Sequence, residues 1–380
     1  MSIFSRRRQD PAEEIPAAQA APQPLPVIPP LPAPTGAGGV GPEAVTWALR
    51  LLIGREPHSE AELAFHGQHA SLETLRLAFA ETNEFAAFAA RAQGRKRGFG
   101  LPLFMLRPPA DAATPWVFAP PTLDQPVTQL CTASQYLEPA FEEIAEAMRL
   151  GRHLHRRSWE QAYIVSALAN HGAIAQGRRV VGFGVGRERV PALLASRGVE
   201  VTVDLPAGEA ARDPAELLAK QAELAIPDVV ARDVFDALVR FDEYGMEAMR
   251  PDFAGRFDAL WSCGALHRMR SLQAGLDFVA GSLSVLRPGG IAVHTTDFNL
   301  ASDKETVDQP GLSLLRRRDV EALVARLRAE GHDAGPINLH PGLADEDSVV
   351  DGPPYGLPHL KVAAGAFIVT SLGIIVRKAG

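Results

Sequence analysis

Gly182, Gly184 and Gly186 alternate through the phrase GFGVGRE, and an acid, Asp204, follows about 20 residues further on. Glycines at this spacing let a backbone approach a ligand closely and adopt positive φ. An acid at that offset, ending the next strand, is placed to accept the two ribose hydroxyls of an adenosine. Val185 inside the loop, Leu205 after the acid and Met246 further along complete the candidate contacts to such a ligand. A nicotinamide or flavin site asks for G-x-G-x-x-G, but Arg187 or Arg189 stands where the last glycine should be. A second group holds His267, His294 and Asp297. A histidine titrates near neutrality and so suits a general base that deprotonates a hydroxyl, and His294 and Asp297 are rival positions for that work. His153, His155 and His171 have no partners at metal-ligand spacing, and Cys131 and Cys263 are far apart, so neither a metal site nor a disulfide framework is expected.

These residues need elements to hold them. Val180 and Val181 open a short strand, the glycine turn follows, and Val190, Leu193 and Leu194 form the inner face of a helix. A second strand, from Val199 to Val203, ends in Asp204, which makes a βαβ unit. Phe257 to Trp261 reads as a strand that leads to His267. Leu272, Leu276, Val279, Leu283 and Leu286 predict one amphipathic helix, broken by Arg287-Pro-Gly-Gly290. Ile291 to Thr296 is the strand that presents His294 and Asp297. A helix with Val320, Leu323, Val324 and Leu327 then precedes Gly331, a polar, Pro-rich excursion at 340–358 and a last strand from Ala366 to Val376.

The alternating G-x-G-x-G resembles the cofactor loop of class I S-adenosylmethionine-dependent methyltransferases, and the FD…W strand, helix, L-x-PGG and apolar strand resemble their fourth-to-fifth strand passage. The phrases QLCTASQ, HRRSWE, GFGVGRE, HTTDFNL, LLRRRD and PHLK are similar to those of a bacterial subfamily associated with glycan or polysaccharide biosynthesis. The resemblance covers about residues 131–380. It implies a Rossmann-like α/β fold with a mainly parallel seven-stranded sheet, closed by an antiparallel hairpin. It also implies S-adenosyl-L-methionine as cofactor and a glycan or other small polar acceptor. Trp159 and Glu160 would lie over the methionine end of the cofactor, and Arg156 or Arg157 would meet its carboxylate, for which a guanidinium is well shaped. Some positions depart from the family pattern. Gly182 replaces the common leading acid, and Glu188 replaces a later glycine. Ala265-Leu266-His267-Arg268 replaces Ala-Leu-Glu-His, Gly245 replaces an acid, and Asp297 replaces Glu. His267-Arg268 and Gly245 keep open a methyltransferase-fold protein that binds cofactor or glycan without turnover, and the helical domain and Pro-rich tether nearer the N-terminus keep open an adaptor in envelope-glycan assembly.

The rest of the chain sets the context. Residues 1–41 are rich in Pro and Ala and offer too little large apolar surface to offset ordering, so a disordered leader is expected. Over 42–92 a small helical domain is expected, with Val45, Ala48, Leu49 and Leu52 on one helix face and Leu72, Leu75 and Phe79 on another. The phrases LLIGREPHS and FAETNEF resemble a small bacterial helical domain of unknown function, which points to a protein-contact or spacer role. Residues 93–126, with RKRG and several prolines, read as a linker, and 127–380 as the main domain. A formal net charge of −7 excludes the global basic field usual in nucleic-acid binding. No apolar run is long enough to span a bilayer and no secretory signal opens the chain, so the expected location is the cytoplasm.

Overall fold

The computed structural model describes residues 39–53, 55–82, 84–85, 97–205, 214–247 and 249–380, in two compact units divided after Gln93. The leader at 1–38 lies outside the described residues.

The first unit is helical. Helix α1 (Pro42–Ala48) carries proline at its first position, and continues as a π-helical turn over Leu49–Ile53. Ser59 caps α2 (Glu60–His66) and Ser71 caps α3 (Leu72–Ala80), each accepting from the backbone three residues on. Val40, Val45, Leu49, Ile53, Leu75 and Phe79 form the small core. Leu72, expected on the inner face, is exposed, because it sits at the first position after the cap rather than one turn further in. Arg55 ties the unit together through Glu62 at 2.7 Å and through Glu84. That hydrogen bond holds the Glu62 carboxyl down at about 2.

The second unit is a doubly wound α/β structure. Its central strands are β1 (Arg179–Phe183), β2 (Glu200–Leu205), β3 (Val239–Glu243), β4 (Phe257–Ser262), β5 (Leu286–Asn299), β6 (Lys361–Ala364) and β7 (Phe367–Arg377). Their order in the sheet is 3-2-1-4-5-7-6, with β7 antiparallel to both of its neighbours and the other central pairings parallel. This is the Rossmann-like class I methyltransferase fold, closed by the β6–β7 hairpin. Parallel strands are covered on both faces and therefore read as apolar runs, as in RVVGF and FDALWS.

Helices α4 (Pro139–Met148), α5 (Arg156–Asn170), α6 (Val190–Ser196) and α8 (Arg232–Leu238) share one core with Val180, Val201, Trp261 and Val293. Helix α7 (Pro214–Leu224) precedes α8. Helices α9 (Leu272–Ser282) and α10 (Arg317–Ala329) share the other core, with Val181, Leu260 and Ala292.

Two expectations are corrected. The helix expected to run from Leu272 to Leu286 ends at Ser282, tightens into a 3-10 turn over Leu283–Val285, and gives way to β5 at Leu286. Pro288 biases the residue before it away from helical geometry, and the short turn absorbs the change. The stretch expected as a linker also packs on the second unit. Arg97–Gly98 pairs with Val349–Asp351, Val117 donates to the Ile337 carbonyl at 3.0 Å, and Met105 and Leu123 are fully buried. Its prolines reduce the number of amide hydrogens to satisfy, which suits a strap laid along the surface. No helix among the described residues is long and apolar enough to cross a membrane.

Candidate functional site

The parallel strands end together at the switch point, where β2 and β4 flank β1 on opposite sides. The glycine loop leaves β1 here. Gly184 takes φ +64°, and an added Cβ would lie 2.7 Å from the Ala265 side chain and 3.2 Å from the Met246 sulfur. Only glycine fits there, and Met246 is thereby brought beside the loop. Gly186 is exposed, with open space where a Cβ would be. Val185 is buried.

Asp204 is close to Gly184 and Val185, as the spacing predicted, but its carboxylate is engaged in another way. Its two oxygens accept the backbone N–H groups of Gly184 and Val185 at 2.7 and 2.9 Å, so the acid holds the loop. Burial pushes its pKa up, against Lys220 of α7 and these two amides. Lys220 donates to the Asp204 carbonyl and lies 3.9 Å from the carboxylate. Leu205 ends β2, and its side chain lies outside the described residues. Tyr244, which sequence reasoning missed, donates to the Gly182 carbonyl at 2.6 Å and fixes the end of β1.

Gly182 is paired in register with Trp261, and the indole lies across it. A Cβ at position 182 would sit 2.4 and 2.6 Å from ring atoms of Trp261 and 2.6 Å from a methyl of Val185. The Trp261 N–H donates to Glu188, whose carboxyl is buried and pushed up to about 7 by desolvation. The missing acid, the extra acid and the tryptophan are thus one packed unit.

A buried ionic cluster sits above the ends of β4 and β5. Helix α5 begins here, capped by His155, whose Nδ1 accepts the Arg157 N–H at 3.2 Å. Arg156 pairs with Asp297 and lies 3.8 Å from Glu160. Arg157 donates to Glu160 at 2.8 Å, and Ser371 donates to the same carboxylate. The Arg157 guanidinium covers Gly264, 2.0 Å from where a Cβ would stand. His267 is buried, with Nδ1 3.8 Å from Asp297 and no hydrogen-bond partner. Burial holds its pKa below the ordinary histidine value, partly offset by Asp297, so it is neutral near pH 7. Asp297 stays below the usual carboxylate range because Arg156 and His267 outweigh its burial. Trp159 is fully buried, stacked on Tyr163 at 4.9 Å, with its indole N–H unpartnered.

His294 does not join this cluster. Side chains alternate along a strand, so His294 and Asp297 emerge from opposite faces of β5. His294 packs against Phe278 and pairs through Nδ1 with Ser262 at 2.8 Å, and Nε2 has no partner. Desolvation lowers its pKa to about 3. Between about pH 6.5 and 3 the unfolded chain takes up a proton there that the folded chain refuses, so stability is lost as pH falls through this window. The slope approaches ~1.4 kcal/mol per pH unit. His294→Gln should flatten it in denaturant melts between pH 4 and 7; an unchanged slope would mean that another group governs acid lability.

No protein-family model matches the chain, and no curated protein does. Solved structures with which it shares some likeness include 1,6-didemethyltoxoflavin-N1-methyltransferase of Burkholderia thailandensis, at 17% identity, covering 72% of this chain and 99% of that one, with a TM-score of 0.37. Another is the CcbJ methyltransferase from Streptomyces caelestis, at 16% identity over 58% of this chain and 94% of that one, with a TM-score of 0.34. At such scores the likeness carries no weight, and the fold rests on the strand order and register.

The Asp204 carboxylate, the open approach at Gly186 and the thioether of Met246 suit an adenosine. Buried carboxylates at Glu160 and Glu188, with guanidinium groups at Arg156 and Arg157, suit a tail that carries one ammonium and one carboxylate. S-adenosylmethionine has both halves.

Proposed function

We propose that the second unit is an S-adenosylmethionine-dependent methyltransferase that acts on a hydroxyl of a small polar acceptor of saccharide type. The observation that carries the reading is the glycine loop at the switch point of a 3-2-1-4-5-7-6 sheet, tied to the acid that ends β2. Gly182, Gly184, Val185 and Gly186 form the floor of the cofactor cleft, Asp204 and Leu205 take its ribose side, and Met246 its adenine side. Trp159, on the same helix as Arg156 and Arg157, anchors that helix in the core rather than facing the cofactor. When bound, the cofactor supplies an electrophilic methyl group.

Arg156 holds Asp297, and Asp297 stands beside His267 Nδ1. With Nδ1–H turned to Asp297, Nε2 is left to take the acceptor's proton, and Asp297 stabilises the imidazolium that forms. The histidine is already neutral near pH 7 and so ready to accept. The saccharide character of the acceptor rests on the resemblance in sequence. A cofactor-binding protein without turnover is the second reading, favoured by the Arg157 guanidinium over Gly264. The exposed Trp47, Leu51 and Phe65 of the N-terminal helical unit suit a contact with another protein.

Asp204→Ala removes charge-assisted hydrogen bonds worth about 1.5–3 kcal/mol each, so calorimetric affinity for S-adenosylmethionine should fall about tenfold or more. Asp204→Asn, which keeps one acceptor for the loop, should fall less. Equal affinity in all three proteins would refute the ribose assignment.

A further inference from the structure

Glu188 is a carboxyl group that the proton-transfer scheme above does not use. It is buried and receives the Trp261 N–H, while the Cys263 thiol donates to Glu160 at 3.9 Å. Among the described residues no lysine or arginine lies within ion-pair distance of it, and every nearby cation is already committed. Lys220 on α7 lies 3.9 Å from the Asp204 carboxylate and acts on Glu188 only through space, and Arg157 on α5 turns to Glu160. Arg187 turns to Glu223, and Arg189 donates to the Met148 carbonyl. The other charges that face Glu188 are carboxylates, Asp204 from β2 and Glu160 from α5, and both oppose its ionisation. A buried anion with a neutral donor and anionic neighbours is costly to keep charged.

The packing shows why the acid is here. Trp261 fills the space over Gly182, so no side chain fits there, and the same indole aims the carboxyl of Glu188 beside the glycine loop.

We infer that Glu188 is the counter-charge for a cationic group on the amino-acid end of the bound cofactor, and that binding is coupled to release of the proton Glu188 otherwise carries. This rests on reading the glycine loop as the cofactor cleft. The O–H bond of the carboxylic acid breaks, its proton goes to solvent, and the carboxylate pairs with the incoming cation. S-adenosylmethionine offers an ammonium and a sulfonium. 5′-Methylthioadenosine shares the nucleoside and has neither.

The test is calorimetric titration of the full chain between pH 5.5 and 7, where an α-ammonium stays charged, in two buffers of different ionisation enthalpy. With Glu188 at about 7, S-adenosylmethionine should bind about tenfold tighter at pH 7 than at 5.5, releasing close to one proton at pH 6. Methylthioadenosine should bind equally at both. Glu188→Gln keeps an acceptor for Trp261, and should weaken S-adenosylmethionine about tenfold at pH 7, abolish its pH dependence and leave methylthioadenosine unchanged. Trp261→Phe removes the donor and should move the midpoint to higher pH. Binding of S-adenosylmethionine without proton release, an equal loss of both ligands in Glu188→Gln, or an unmoved midpoint in Trp261→Phe would overturn the inference alone. Failure of the wild type to bind either nucleoside would overturn the cofactor reading with it.

Discussion

Gly182→Ala is expected to destabilise the second unit by about 1–3 kcal/mol, although it adds a single methyl group. The position is central in the sheet, and the new carbon would lie 2.4 Å from the Trp261 ring. Gly182→Glu, which restores the acid usual in the resembling family, adds a buried charge with no cation beside it, and should yield little folded protein. The cause is specific, so it can be relieved. In a Gly182→Ala, Trp261→Leu double variant the smaller side chain opens the indole side of the space, and the cost of the alanine should fall, with the Val185 methyl still 2.6 Å away. Denaturant melts of the four-member cycle should therefore give a coupling energy of about 1–3 kcal/mol. Additive effects would show that the glycine answers to something other than the indole.

His267→Ala should lower kcat for methyl transfer by about 100–10,000-fold, the usual contribution of a positioned general base, with cofactor affinity nearly unchanged. The histidine sits after β4 and beside Asp297, away from the Asp204 side of the cleft, which is why the two constants should separate. Asp297→Asn should also reduce kcat, and should move the acidic limb of the pH profile to lower pH, because the carboxylate is what raises the His267 pKa against burial. If the His267 variant keeps full activity, the base is elsewhere. His294, neutral and enclosed on the other face of β5, is not positioned to replace it.

Much of the fold was legible because parallel strands and their helices write their periodicity directly: RVVGF, EVTVDL and FDALWS are strands, and the order of punctuation sets the crossovers. The glycine loop and His267 were legible as candidates because they follow strands, and Asp204 and Asp297 because they lie near strand ends, where open α/β sheets place ligands. Other features depend on register, which spacing alone does not fix. That Gly182 lies opposite Trp261, so that Glu188 becomes the acid of the loop, appears only once β1 and β4 are paired. The ion pair of Arg156 with Asp297 likewise needs α5 laid over β5. The pairing of His294 with Asp297 as rivals ignored a signal that was present, since two positions an odd number apart on one strand face opposite ways. The strap at 97–126 was hidden by its composition, because proline-rich chain reads as loose even where it is packed.

The wild-type arm of the transfer assay tests the central claim most directly. The full chain is incubated with methyl-labelled S-adenosylmethionine and a set of saccharide acceptors, and products are resolved by mass spectrometry. The expected result is formation of S-adenosylhomocysteine matched, mole for mole, by one labelled methyl group on an acceptor hydroxyl, reduced at low cofactor concentration in Asp204→Ala and strongly slowed in His267→Ala. Cofactor that binds yet passes no label to any acceptor, with no S-adenosylhomocysteine above the buffer control, would contradict the claim of methyl transfer.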